Sequence, residues 1–331
     1  MGTHRHHHPV IGRVALLAAL LLAPSAAVAQ PRAGTIRTDT LWAQSLGVRK
    51  AVTVYLPPSY AASPSRRYPV LFYLHGLTGN ERNWAEQGGL GATLDSLARA
   101  GKGEAIVVMP DGDDGWYTTW NALNDPGCAA DTVRKEKAAT YCVPWLHYDD
   151  YVAHDLVKWV DSHYRTRATR ASRGIAGLSM GGYGAVSIAL SYPTLFAAAA
   201  SHSGVVSPRL IGPTPYAGQP RYARDSTELR TTRLWRAMAS PFGRDTIGWI
   251  ARDPGRMVER LVARKRAVPA LLIDSGLDDP YVDQSRDLHA TLQRLRVPHR
   301  YAEWPGGHTW DYWRTHGAES AAFLLEQTKA R

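Results

Sequence analysis

The run Arg173-Gly174-Ile175-Ala176-Gly177-Leu178-Ser179-Met180-Gly181-Gly182-Tyr183-Gly184 constrains the fold more than any other part of the chain. A short apolar stretch, residues 175–178, leads into Gly-x-Ser-x-Gly, and a helix-compatible stretch, residues 185–192, leads out. A serine in that setting reads as the tip of a strand–turn–helix elbow. The turn must be tight for the hydroxyl to stand clear of a sheet. Strand and helix backbones then come so close that a side chain at Gly177 or Gly181 would collide. The helix that follows aims its N-terminus at the serine, which favours negative charge developing there.

The rest of the chain alternates apolar strand-like runs with helical patterns. Strands are expected over 48–56, 68–74, 104–109, 175–178, 196–201, 270–273 and 299–303, with 48–56 the first and antiparallel at one edge. Helices are expected over 90–100, 151–164, 283–295 and 309–329. That alternation predicts an α/β fold with a mainly parallel central sheet, helices on both faces and its site at the carboxyl ends of the strands. Two irregular stretches, 121–147 and 205–266, are expected to be insertions over those strand ends.

The first residues read as an address. Arg5 and Arg13 precede an apolar run over 14–23, and Ala27-Val28-Ala29 supplies a small-x-small cleavage site. Residues 1–29 are therefore expected to be a signal peptide, too short in its apolar part to span a bilayer, and 30–331 a single domain of an exported or periplasmic protein. The cluster from His4 to His8 falls inside the removable segment. In an oxidising compartment Cys128 and Cys142 are expected to pair, closing a loop of about 15 residues worth roughly 3 kcal/mol. With 39 basic and 29 acidic residues the net charge is +10. The basic residues are spread out, and the cluster over 260–266 has the spacing of a solvated helix face, so nucleic acid is not an expected partner.

A serine hydroxyl needs a base to take its proton and an acid to orient that base. In a fold of this kind the chain order is Ser, acid, His. His308 sits in Trp304-Pro305-Gly306-Gly307-His308-Thr309-Trp310, after a strand and before the last helix, and is the expected base. The expected acid is Asp279, with Asp278 the alternative; Asp274, at the same strand end, reads as a carboxylate that structures the loop. His202 competes more weakly for the role of base, and His75 reads as structural and hole-forming. The oxyanion donors are expected to be the backbone N–H groups of Met180, just after the serine, and Leu77, in the turn after Leu74-His75-Gly76. Trp116, Tyr117, Trp120 and Trp310 are expected to line an aromatic cleft. No cofactor is expected, and the pattern after residue 29 offers no metal-ligand motif.

The segments Leu74-His75-Gly76-Leu77-Thr78-Gly79-Asn80, Pro110-Asp111-Gly112, Trp116-Tyr117, Gly177-Leu178-Ser179-Met180-Gly181-Gly182-Tyr183-Gly184, Gly276-Leu277-Asp278-Asp279 and Gly307-His308-Thr309-Trp310-Asp311-Tyr312-Trp313 together resemble the putative-esterase branch of the α/β-hydrolases. That branch includes S-formylglutathione hydrolases, tributyrin-type esterases, feruloyl and acetyl-xylan esterases and mycolyltransferases. The resemblance implies a carboxylesterase with Ser179 as nucleophile, Asp279 as acid, His308 as base, and Leu77 and Met180 as oxyanion donors. It leaves the acyl group and the alcohol open, carbohydrate esters among them. Acyl transfer to an alcohol or sugar is the enzymatic alternative, and an envelope-binding protein on a hydrolase scaffold is the alternative of another class. Export argues against a formylglutathione role, and the stretch 121–147 is longer than in tributyrin-type esterases.

Overall fold

The computed structural model describes residues 1–4, 33–120, 137–138, 142, 144–212 and 219–329. Every element below belongs to the compact unit Arg32–Arg331. The expected signal peptide, apart from residues 1–4, lies outside the described residues. So does Cys128, and with it the expected Cys128–Cys142 pairing.

Eight strands make one sheet: β1 Thr35–Ala43, β2 Val48–Leu56, β3 Val70–Leu74, β4 Ile106–Pro110, β5 Arg173–Leu178, β6 Ala198–His202, β7 Ala270–Gly276 and β8 His299–Trp304. Their order is β1-β2-β4-β3-β5-β6-β7-β8. From β4 to β8 every neighbouring pair is parallel, while β2 runs antiparallel to β4 and β1 antiparallel to β2. The run 48–56 is therefore the second strand, not the first. The edge belongs to β1, paired from Thr35↔Leu56 to Ala43↔Val48. Its leading residues Thr35, Ile36, Arg37 and Thr38 are exposed. A polar edge strand carries little of the apolar signal by which buried strands are recognised.

Side chains alternate across each strand, and the core divides accordingly. Val70, Phe72 and Leu74 face one apolar cluster, Leu71 and Tyr73 the other. The second cluster is closed by α1 Leu90–Arg99 and α6 Trp310–Gln327, which pack on each other. The first is closed by α2 Val157–His163, α3 Met180–Ser191, α4 Pro254–Ala263 and α5 Val282–Arg294. Residues Tyr151–Leu156, expected as the start of an α-helix, are wound as a π-helix that passes into α2. Every residue of α3 from Met180 to Leu190 is buried, so this helix has no solvent stripe. Among the described residues no helix is long and apolar enough to cross a membrane.

Candidate active site

Ser179 is the residue between β5 and α3, with φ 52° and ψ −117°, a conformation that costs a non-glycine residue of order 1–3 kcal/mol. Packing on both sides holds it there. Its N–H donates to His202 O at 2.9 Å, and its carbonyl accepts from Tyr183 N–H at 3.0 Å. The two glycines are demanded by contact: a Cβ on Gly177 would lie 2.2 Å from Gly181 O, and one on Gly181 would lie 2.3 Å from Leu74 O. Gly181 has no clash-free side chain because β3 ends directly against the first turn of α3.

The loops after β7 and β8 are tied together, and this brings distant residues to the serine. Leu277 N–H donates to Trp304 O at 2.9 Å and Asp278 N–H to Gly306 O at 2.9 Å. Gly276 approaches so closely that a Cβ there would lie 2.2 Å from Gly306 O. Gly306 itself has φ 130°, open to glycine alone at low cost. Asp279 then turns inward. Its side chain is fully buried, its Oδ1 accepts from Tyr281 N–H at 2.8 Å, and its Oδ2 lies 2.8 Å from His308 Nδ1. His308 Nε2 lies 2.9 Å from Ser179 Oγ. A carboxylate only accepts, so the His308 proton sits on Nδ1 and Nε2 is left to accept from the Ser179 hydroxyl. The imidazole is held edge-on between the rings of Tyr281 and Trp313, each with its centroid 4.9 Å away. Trp313 is fixed in turn by donating Nε1–H to Ser203 Oγ at 3.1 Å. Burial pushes the Tyr281 phenol above its usual value, against the lowering effect of nearby Arg233.

A second set of contacts shapes the turn after β3. His75 is buried, and its ring spans two backbone groups: Nε2 accepts from Gly112 N–H at 2.9 Å, and Nδ1 lies 2.8 Å from Gly76 O. With Nε2 occupied as an acceptor, Nδ1 carries the proton and donates to Gly76 O, and Asp111 Oδ1 at 3.6 Å stands outside hydrogen-bond range. Gly76 O also accepts from Gly79 N–H at 3.0 Å. The carbonyl of Gly76 and the N–H of Leu77 share one peptide plane and point opposite ways. Anchoring the carbonyl therefore turns Leu77 N–H away from His75. Among the described residues neither Leu77 N–H nor Met180 N–H donates to a protein group. Met180 is the first residue of α3, where N–H groups have no intrahelical acceptor.

Behind this turn lies a buried ionic cluster. Lys50 Nζ, from β2, is 2.5 Å from Asp111 Oδ2 and 2.8 Å from Asp113 Oδ1. Tyr148 OH donates to Asp113 Oδ2 at 2.5 Å. Burial pushes the Asp111 carboxyl up, but the paired Lys50 ammonium outweighs it and holds Asp111 below the usual carboxylate range. Asp113 is raised by burial and by the charge of Asp111.

The cleft over Ser179 has a volume of about 390 Å³ and is walled by Leu77, Trp116, Leu234, Tyr281, Trp310 and Trp313. Trp116 and Trp310 thus stand where the sequence placed them, but Tyr117 and Trp120 do not. Tyr117 is 1 % exposed, and its ring fills the space beside Gly112 and Gly184, at 2.3 Å and 2.5 Å from where their Cβ atoms would be. Trp120 lies on the two-residue strand Thr119–Trp120 and packs against the main core. The other candidates separate as follows. Asp278 is exposed, whereas Asp274 is buried, accepting from Tyr312 OH at 3.0 Å and facing His202 Nδ1 at 2.7 Å. His202 meets the serine only through its carbonyl. Sequence reasoning missed Trp313, Tyr281 and Leu234. Trp313 was open to discovery, being one helical turn after Trp310.

An eight-stranded sheet in this order, with a strained serine after β5, a histidine after β8 and an acid after β7, defines the α/β-hydrolase class. Within it the chain belongs to the family described as "Putative esterase", which matches residues 43–320. It is 29 % identical over 285 residues to Esterase Rv1288 of Mycobacterium tuberculosis (strain ATCC 25618 / H37Rv), an alignment covering 80 % of this chain and 53 % of that protein. The chain therefore spans about half the length of the mycobacterial relative. It is 25 % identical over 260 residues to an acetyl esterase of Caldicellulosiruptor saccharolyticus, covering 78 % of this chain and 84 % of that protein. Among solved structures, a ferulic acid esterase superposes with TM-score 0.66 at 25 % identity, covering 90 % of this chain and all of the other. The S-formylglutathione hydrolase of Agrobacterium tumefaciens shares the fold with TM-score 0.66 at 19 % identity, covering 90 % and 96 %.

Proposed function

We propose that the chain is an exported serine carboxylesterase acting on acyl esters of carbohydrates, acetyl or feruloyl groups among them. The observation that carries this reading is the continuous relay from Asp279 through His308 to Ser179 at the floor of an aromatic cleft. Ser179 Oγ attacks the ester carbonyl as His308 Nε2 takes its proton, and Asp279 holds the ring in the required tautomer and stabilises the imidazolium. Leu77 and Met180 N–H groups receive the oxyanion. The tetrahedral intermediate collapses with the alkoxide leaving, protonated from His308 Nε2. Water then enters, gives its proton to His308, attacks the acyl-enzyme and frees the acid. Trp116, Trp310 and Trp313 offer flat apolar walls for an acyl group or a sugar face. The acetyl and ferulic acid esterases among the relatives support the substrate class, and the sequence over 14–29 supports export.

The test is hydrolysis of p-nitrophenyl esters, from acetate to long chains plus a feruloyl ester, by the secreted wild type and Ser179→Ala. Wild type is expected to cleave, and the alanine variant to lose about 10⁴-fold or more. Equal rates in the two proteins would end the serine mechanism.

A further inference from the structure

The chain carries a second candidate site at the opposite end of the sheet from Ser179. The loop between α2 and β5, with Arg67, Ala197, Gln327 and Lys329, lines an open basin of about 890 Å³. It lies at the amino end of β5. Six residues of strand, roughly 20 Å, separate it from the serine at the carboxyl end.

Four cations line the basin: Arg67, Arg167, Arg170 and Lys329. Among the described residues none of them is paired with a carboxylate. The three arginines donate only to backbone carbonyls, Arg67 to Thr166 O at 3.2 Å, Arg167 to Thr328 O at 3.4 Å and Arg170 to Pro193 O at 2.7 Å. Two carboxylates on neighbouring segments are already engaged. Glu104 accepts from Ser59 and pairs with Arg66, and Asp161 accepts from Thr166 and pairs with Arg173. Among the described residues the buried Arg167 Nε has no acceptor. Burial and the charge of Arg66 together push the Arg167 guanidinium down from its usual value. Among the described residues, positive charge is thus gathered here without a paired carboxylate and with one donor left over. An oxyanion bound in the basin supplies what is missing on both counts.

We propose that this basin is an anion-binding site, separate from the catalytic cleft, that takes the carboxylate groups of a polyuronate glycan. The lining distinguishes this ligand from a nucleic acid. No aromatic side chain among the residues that line it offers a platform for a base, whereas Thr169 and Gln327 present hydroxyl and amide groups suited to sugar hydroxyls. A polymer held at the amino end of the strands leaves the cleft at the carboxyl end free. Binding at the basin would keep the protein on an acidic polysaccharide without passing through the reaction, and it does not depend on the esterase reading.

The test is binding of polygalacturonate by the secreted protein in affinity electrophoresis, with neutral dextran and duplex DNA as comparison polymers. Arg167→Gln/Arg170→Gln removes two of the basin's charges and leaves a polar side chain at each position. Arg264→Gln/Arg266→Gln, in the exposed turn after α4, removes the same charge elsewhere. Wild type is expected to bind polygalacturonate and to release it as salt rises. The basin variant should bind at least about ten-fold more weakly and the control variant within about two-fold of wild type, with p-nitrophenyl acetate turnover the same in all three. Equal weakening in both variants would reduce the effect to net charge. Duplex DNA bound as tightly as polygalacturonate, or no retention of polygalacturonate at all, would also overturn the site.

Discussion

At the scale of single residues the site rests on two histidines with opposite duties. His308 keeps an acceptor facing Ser179, and His75 keeps a donor facing Gly76 O. The second duty makes His75 a positioning residue: it touches neither substrate nor serine, and acts by fixing the peptide plane that aims Leu77 N–H. Removing an oxyanion donor costs about 10²–10³ in kcat, and mis-aiming one should cost less, roughly ten- to a hundred-fold for His75→Ala. The loss should fall on kcat with KM within about two-fold, because the donor matters to the transition state and not to ground-state binding. A merely structural role would lower stability and leave kcat of the folded enzyme alone. His75→Gln, which retains a donor, should recover part of the rate. Ser179, Asp279 and His308 were legible in the sequence because each follows a strand in a glycine-containing turn. Tyr117 was not, since a loop aromatic reads the same whether it faces a cleft or, as here, fills the gap over Gly112 and Gly184.

At the scale of elements, the antiparallel junction of β2 with β4 holds the turn after β3 from behind. Lys50 on β2 meets Asp111 and Asp113 in the loop after β4, and Asp111 lies next to Gly112, whose N–H holds His75. Lys50→Met fits the volume but leaves two buried carboxylates facing each other. Breaking a buried ion pair from one side costs about 3–5 kcal/mol, and that loss is expected in urea unfolding. A loss below about 1 kcal/mol would mean the cluster is already neutral in the wild type. Nothing in the sequence announced this cluster, because Lys50 lies in an alternating strand where a lysine ordinarily points to water. The parallel strands were legible for the converse reason. Buried on both faces, β3 and β4 are short apolar runs with no polar alternation to blur their ends. The edge strand β1, half of it polar, was not.

At the scale of the whole molecule, acid should destabilise the fold in two separable steps. Two half-buried histidines, His289 on α5 and His316 on α6, stack on side chains of β8 and have depressed proton affinity. His289 is lowered by burial and by His299, against the opposing charge of Glu303. His316 is lowered by burial and by His202, against Asp274 and Glu319. A histidine whose folded pKa lies below its unfolded value of about 6.5 binds its proton more readily in the unfolded chain. Its contribution is therefore complete above about pH 6.5 and drains away as pH falls through the folded pKa. Solvent screening keeps the combined effect below about 1 kcal/mol, a shift in Tm of roughly 2–4 °C. Asp111 gives the second step: its folded pKa is depressed, so its contribution is present above about pH 4 and lost below. The double variant His289→Phe/His316→Phe separates them. His289 stacks on Tyr301 at 4.0 Å and His316 on Trp304 at 4.3 Å, contacts that a phenyl ring can keep. Tm measured from pH 8 to pH 3 should lose its slope between pH 7 and pH 5 in the variant and keep the steep fall below pH 4. An unchanged slope between pH 7 and pH 5 would place that sensitivity elsewhere.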